Sequence, residues 1–316
     1  MKNNYHSVIR LSNLSKRFAD VTAVDGLSLD IFKGEVFGFL GPNGAGKTTT
    51  INMICGIYPP SEGEILFWDD KGIKKQDIKT LIGICPQENI FWPKLSCEEQ
   101  LNFVGNMYGM SAKSVKSRSK ELLHMLGLEE KSKALASKLS GGMKRRLNLC
   151  LALIHDPEIL VLDEPEAGLD PQSRILVRNF IKSMAQEKTI ILTTHNMDEA
   201  DRMADRVAII DHGKLLLVET PEKMKKSIGE GDILEIVLDI TDKDDISTIT
   251  NALRKICDQV KSSADKIIIK SKNLIESVSE ITNRIKEHGY IIKEITLREN
   301  TLEDVFIYLT GRKLRQ

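Results

Sequence analysis

At 316 residues, with 41% hydrophobic and 28% charged side chains, the chain has the composition of a soluble globular protein long enough for one large domain and a smaller one. Its 45 basic residues balance 45 acidic ones, which excludes a global field steering the molecule to nucleic acid or to an anionic bilayer. No apolar run reaches the roughly eighteen residues of a membrane span, and MKNNYHSVIRLSNLSKRF carries no signal-peptide core, so the chain is expected neither to cross a membrane nor to be secreted.

In chain order, the first legible strand is EVFGFLG, and a helix follows from Lys47. Between them runs GPNGAGKTT at 41–49, so the pattern G-x-x-x-x-G-K-[ST] has the strand before it and the helix after it that a phosphate-binding P-loop needs. Gly41, Gly44 and Gly46 let the loop, completed by Pro42, Asn43 and Ala45, turn its N–H groups onto the α- and β-phosphates of a nucleotide. Lys47 supplies a point charge between β and γ, and the Thr48 hydroxyl, with Thr49 beside it, can ligate Mg2+. ATP and Mg2+ are the expected cofactors.

A second strand ends near GICPQ, where Gln87 carries little meaning by itself. A helical stretch over about 90–155 follows. Ser96 and Glu99 form a capping box, and a lysine-rich pattern covers 111–126, in which Lys113, Lys116, Arg118 and Lys120 read as a solvated face. KLSGGMKRRLNLCLAL, 138–153, opens another helix: Ser140 can cap it, while Gly141 and Gly142 leave N–H groups bare, giving the chain a second anion-binding device far from the first.

EILVLDEPEAGLD, 158–170, is an apolar strand ending in two acids. Asp163 is expected at its carboxyl edge facing the same Mg2+, and Glu164 reads either as a general base for water in line with the γ-phosphate or as a helix-start acid. His195 ends the strand TIILTT and reads equally as structural or catalytic; RVAIIDHG is a further strand. Apolar runs alternating with helices imply a mainly parallel α/β sheet. Five cysteines, at 55, 85, 97, 150 and 257, lack a C-x-x-C and lie in stretches such as LNLCLALI, which fits buried thiols in a reducing compartment.

Beyond ETPEKMKKSIGEGD the style changes. Thr220 and Pro221 start a helix that Gly229 and Gly231 end; ILEIVLDI, KIIIKS and YIIKEITLRE then alternate with helices near 244–258 and 272–287. Thr301 caps a last helix that Gly311 closes. The chain thus reads as a domain over 1–230 and a small α+β domain over 231–316.

The P-loop, Gln87, LSGGM at 139–143, ILVLDE at 159–164, GLD at 168–170 and His195 stand in the order and at the intervals of the ATP-binding subunits of ABC transporters, which the chain resembles over roughly 8–225. The resemblance implies a P-loop ATPase core of ABC type with a helical subdomain. It further implies a head-to-tail dimer in which Ser140, Gly141 and Gly142 close over the ATP on a second copy's P-loop. Carried over by position, Phe18 stacks on adenine, though a core role for it stays open. Gln87 senses Mg2+ and relays nucleotide state to a transmembrane permease, Asp170 crosses the dimer seam, and His195 holds the γ-phosphate and the attacking water. The expected place is the cytoplasmic face of the membrane, peripherally, with no nucleic acid partner.

Two positions depart from the family pattern: Met143 replaces a glutamine, and Glu166 replaces a small hydroxyl residue and is expected to add negative charge near the seam. KRRLNLCLALIHDPEILVLDEP and LRENTLEDVFIYLTGRKLR resemble the daunorubicin-resistance-like exporter branch. Two other functions stay open: a non-transport ABC ATPase acting on nucleic acid or the ribosome, and a catalytically idle subunit.

Overall fold

Strands open the chain. β1 (Ser7–Phe18) and β2 (Val21–Phe32) pair antiparallel, and β3 (Val36–Leu40) leads through the P-loop into α1 (Lys47–Ile54). There follow β4 (Glu62–Asp69), β5 (Gly72–Ile73), α2 (Ile78–Leu81) and β6 (Ile82–Cys85). The helical stretch comprises α3 (Cys97–Met107), α4 (Ala112–Met125) and α5 (Gly141–Leu153). Then strands and helices alternate: β7 (Ile159–Asp163), α6 (Pro171–Met184), β8 (Thr189–Thr194), α7 (Met197–Met203), β9 (Arg206–Asp211) and β10 (Lys214–Glu219). The computed structural model describes residues 7–69, 72–73, 78–185, 187–228, 232–239, 246–257, 259–263, 265–271 and 274–311.

A six-stranded sheet of order β10-β9-β3-β8-β7-β6 forms the centre, parallel except at the β10 edge. Its inner strands VFGFL, ILVLD and TIILTT are buried along their whole length, as parallel strands covered on both faces must be. Side chains two apart share a face. Phe37, Phe39, Val161 and Ile191 therefore pack against the second sheet, β2-β1-β4-β5, and α1. Val36, Leu160, Leu162, Ile190 and Leu192 join the helices, with Leu101, Leu122, Leu147, Leu153 and Ile181.

Ser96 and Glu99 form the capping box on α3, and Ser111 caps α4 by accepting from the Ser114 N–H at 3.2 Å. Arg118 departs from the solvated face expected for it: half-buried, it pairs with Glu121 at 2.9 Å and Asp156 at 3.0 Å, while Lys113, Lys116 and Lys120 are exposed. All five cysteines are buried thiols, and burial pushes Cys55 up to about 12 and Cys85 to about 11.

The chain divides into compact units at Pro221 and Glu222, so the boundary falls at the start of α8 (Pro221–Ser227), whereas the sequence leads one to expect it near 231. The helix tail explains the difference: the Ile228 carbonyl accepts from Lys270 Nζ at 2.7 Å, within the second unit. Gly229 and Gly231, the expected terminators of that helix, lie outside the described residues. The second unit continues with β11 (Asp232–Asp239), α9 (Ser247–Leu253), β12 (Gln259–Ser263), β13 (Lys266–Ser271), α10 (Leu274–Glu287), β14 (Ile291–Arg298) and α11 (Leu302–Thr310). Its antiparallel sheet, β12-β13-β11-β14, turns Leu234, Ile236, Ile267 and Ile269 onto Ile249 and Leu253 of α9 and Leu274, Ile281 and Ile285 of α10. Glu235, between two of these apolar residues, joins Arg298 and Lys266, and Arg298 also reaches Asp304. Thr301 and Asp304 cap α11 reciprocally and Gly311 closes it at φ 70°.

Candidate active site

Four loops follow the carboxyl ends of adjacent parallel strands: the P-loop after β3, His195 after β8, Asp163 and Glu164 at the end of β7, and Gln87 after β6. This edge is where ligands bind in open α/β sheets, because the crossover helices leave it uncovered. In the P-loop two glycines are dictated by close approach: a Cβ on Gly41 would lie 2.1 Å from the Ile210 carbonyl oxygen, and one on Gly46, at φ 104°, 2.4 Å from that of Ala23. Lys47 is buried and its Nζ donates to the Gly41 and Pro42 carbonyls at 2.8 and 3.0 Å. Burial pushes its pKa below the ordinary lysine range, opposed by the Glu164 and Asp163 charges. Thr48 Oγ1 lies 3.3 Å from Asp163 Oδ2, while Asn43 and Gly44 at the loop tip are exposed and Thr49 is half-buried.

Glu164 is the junction of the set. Its Oε2 accepts from Gln87 Nε2 at 3.0 Å and its Oε1 lies 2.7 Å from His195 Nδ1. Its backbone is left-handed at φ 47°, a conformation an L-residue keeps only when its surroundings fix it. Thr193 does part of that fixing, since its carbonyl and hydroxyl both accept from the Glu164 N–H, at 3.1 and 3.2 Å. The Thr193 hydroxyl in turn donates to Asp163 Oδ1. The result is a buried carboxylate aimed by two neighbours beside a cationic, N–H-rich loop, an arrangement able to take a proton from water next to a bound phosphate.

Arg145 of α5 is 2% exposed, and its guanidinium donates to the carbonyls of Asp163 at 2.6 Å, Glu164 at 3.0 Å, Pro165 at 3.2 Å, Gln87 at 3.3 Å, and also Pro86. Sequence reasoning passed over it because it stands in a basic triplet, KRR. The usable signal was its place in register with Gly142 and Leu149 on the buried face of α5. Arg145→Met is expected to leave these carbonyls without donors and to cost about 3–5 kcal/mol. Differential scanning calorimetry should read this as a fall in Tm of roughly 6–20 °C.

Glu166 does not present the loose negative charge expected near a seam. It is 5% exposed and grips Arg178 of α6 through two bonds, at 2.8 and 2.7 Å, with Arg174 3.8 Å away. Arg178, missed in the sequence, neutralises it.

Ser140, Gly141, Gly142 and Asp170 form a second group. Ser140 caps α5, accepting from the Met143 N–H at 3.2 Å, and Gly141 faces open space. A Cβ on Gly142 would meet Ser173 Oγ at 2.3 Å and Asp170 Oδ2 at 3.4 Å, so the N-termini of α5 and α6 lie side by side. Asp170 caps α6 through the Ser173 N–H at 2.9 Å, a bond that holds its carboxyl below the usual range. Met143 packs half-buried against the helical core. Among the described residues no hydrogen bond joins this group to residues 41–49. Phe18 is 43% exposed, edge-on to Tyr58 at 5.6 Å between centroids, so it is a surface ring.

Comparison with known proteins agrees with this geometry. The ABC transporter family matches residues 24–167. The linearmycin resistance ATP-binding protein LnrL of Bacillus subtilis is 35% identical over 98% of this chain and 100% of its own length. The Nod factor export ATP-binding protein I of Ralstonia nicotianae is 34% identical, over 98% and 95%. Among solved structures, an ATP-binding subunit of an ABC transporter superposes with TM-score 0.63 at 25% identity, covering 71% of this chain and 94% of that one. A dimeric bacterial ABC transporter cassette gives 0.60 at 26% identity, covering 67% and 98%. This chain is a member of the ATP-binding subunits of ABC transporters, an ATPase.

Proposed function

We propose that the chain is the ATPase of an exporter of the daunorubicin-resistance type, working as a head-to-tail homodimer on the cytoplasmic face of a separate membrane permease. The observation that supports the dimer is the N-terminus of α5, where Gly141 faces open space and, among the described residues, no hydrogen bond reaches residues 41–49, leaving the helix end available to the phosphate of another copy. Each charge-assisted bond contributes about 1.5–3 kcal/mol, so a few donors from Ser140, Gly141 and Gly142 supply the ~5.5 kcal/mol that turns a mostly open population closed. Export is supported by the relatives named for Nod factor export and linearmycin resistance. The C-terminal unit is read as a regulatory or dimerisation domain.

In each site Lys47 and the loop N–H groups hold the triphosphate, and Phe18 offers a face to the adenine. Glu164 takes the proton of a water as its oxygen attacks the γ-phosphorus and the bond to ADP breaks. His195 and Gln87 keep Glu164 aimed, and Asp170 contacts the other copy. Thr48 Oγ1, Asp163 and the Gln87 amide oxygen make the all-oxygen donor set that suits Mg2+, with Thr48 and Asp163 already 3.3 Å apart. When bound, Mg2+ neutralises charge on the β- and γ-oxygens.

No helix of the described residues is long and apolar enough to cross a membrane. A cavity of about 390 Å³, whose lining includes Ile57, Ile84, Pro86, Ile90, Trp92 and Tyr108, suits an amphipathic cytoplasmic helix of the permease. Ile90, 62% exposed, is the point to test. Ile90→Asp is expected to release the chain from detergent-solubilised membrane complexes while the purified subunit hydrolyses ATP at the native rate. Unchanged co-purification with membrane protein would exclude this cavity as the docking point.

A further inference from the structure

A second buried carboxylate besides Glu166 has no task in the hydrolytic scheme above. Glu199, on α7 just past His195, is 6% exposed and reaches back between two loops. Its Oε1 accepts from the backbone N–H of Glu166 at 3.2 Å, and its Oε2 accepts from the hydroxyl of Thr194. Glu166 stands two residues after Glu164, and Thr194 immediately precedes His195. One carboxylate therefore brackets the two backbone segments whose side chains meet in the 2.7 Å contact between Glu164 and His195.

We propose that Glu199 is a positioning residue for ATP hydrolysis, fixing the separation of Glu164 and His195 while touching neither nucleotide nor P-loop. The inference rests on the reading of Glu164 as the hydrolytic base. The left-handed backbone at Glu164 needs external restraint. Thr193 supplies it from the N-terminal side and Glu199 from the C-terminal side, through Glu166. Both partners donate to Glu199, which accepts from them together as the ionised acid.

Holding that acid ionised opposes stability. Burial, reinforced by the Glu166 and Glu164 carboxylates, pushes Glu199 up to about 7 against the bonds from Thr194 and Glu166. Arg178 of α6, bonded to Glu166, is a cation whose charge Glu199 also feels. A carboxyl raised above its unfolded value favours folding in the neutral form, and that contribution, complete below the ordinary carboxylate range, is lost as pH rises through about 7. At pH 8 a neutral isostere should therefore fold no worse than glutamate, whereas a residue kept for stability alone would be missed.

The test is steady-state hydrolysis and thermal unfolding of the full chain at pH 8 for Glu199→Gln, Thr194→Val and Thr194→Ser. Glu199→Gln and Thr194→Val are expected to lower kcat by about 10- to 100-fold with KM for ATP within about twofold, because the reacting groups drift while binding is untouched. Thr194→Ser keeps the hydroxyl and should keep the rate, the double variant should be no slower than either single one, and the Tm of Glu199→Gln should not fall. A native kcat in Glu199→Gln, a loss confined to KM, or a rate that tracks a falling Tm overturns the proposal. Should Glu199→Gln fail to fold, the Thr194 pair reads the same bracket. Slow turnover of Glu164→Gln beside normal turnover of Glu199→Gln refutes the positioning role alone, and fast turnover of Glu164→Gln refutes the reading beneath it.

Discussion

Glu164→Gln is expected to reduce kcat for ATP hydrolysis by about 10²- to 10⁴-fold, the range a positioned general base contributes. The amide occupies the same space, can accept from Gln87 at the 3.0 Å contact and still meets His195, so the pocket survives while the group that takes the proton is gone. ATP affinity, which depends on the P-loop, should stay within a few-fold. On the proposed shared site the γ-phosphate is then retained, and closed dimers should accumulate with Mg-ATP in size-exclusion chromatography. Turnover within about tenfold of native would exclude Glu164 as the base, and a strictly monomeric variant would exclude the shared site.

Lys47→Ala is expected to weaken ATP binding by about 10- to 100-fold, measured by isothermal titration calorimetry, because a charge-assisted bond of about 1.5–3 kcal/mol disappears from a buried position. The same lysine gives the binding a pH dependence whose sign is fixed. Its folded pKa lies below the ordinary lysine value because burial disfavours the cation. Over the interval between the two, the unfolded chain holds the proton more tightly, so stability rises with pH while the folded lysine loses charge. ATP affinity should accordingly begin to fall at a pH below the ordinary lysine range, and the Lys47→Ala variant should lack that alkaline limb.

The P-loop, the two acids after β7 and the α5 cap were legible in the sequence because each is a contiguous pattern whose chemistry is local. Pairings between distant elements were not. Arg145 looks like one of three surface cations until α5 is wound and turned toward five carbonyls from two other loops. Glu166 looks like an intruding charge until α6 brings Arg178 against it. Glu199 hid for the same reason. The β2-β1-β4-β5 sheet was missed on other grounds: β1 shifts register against β2 at several points, so its apolar residues, such as Leu11 and Leu14, do not keep the alternation by two that marks a strand. In the second unit β12, QVKSS, is too short and polar to read, whereas Leu274, Ile281 and Ile285 recur at helical spacing and announce α10.

The arrangement of the site's loops on neighbouring strands makes the central sheet a ruler. From β3 through β8 and β7 to β6 there are three gaps between hydrogen-bonded strands, each about 4.8 Å, so the reach from the P-loop to Gln87 is gauged at about 14 Å by peptide geometry common to all proteins. Side chains at the strand ends can be exchanged, sharpened or dulled, and the gauge on which they are mounted keeps its divisions.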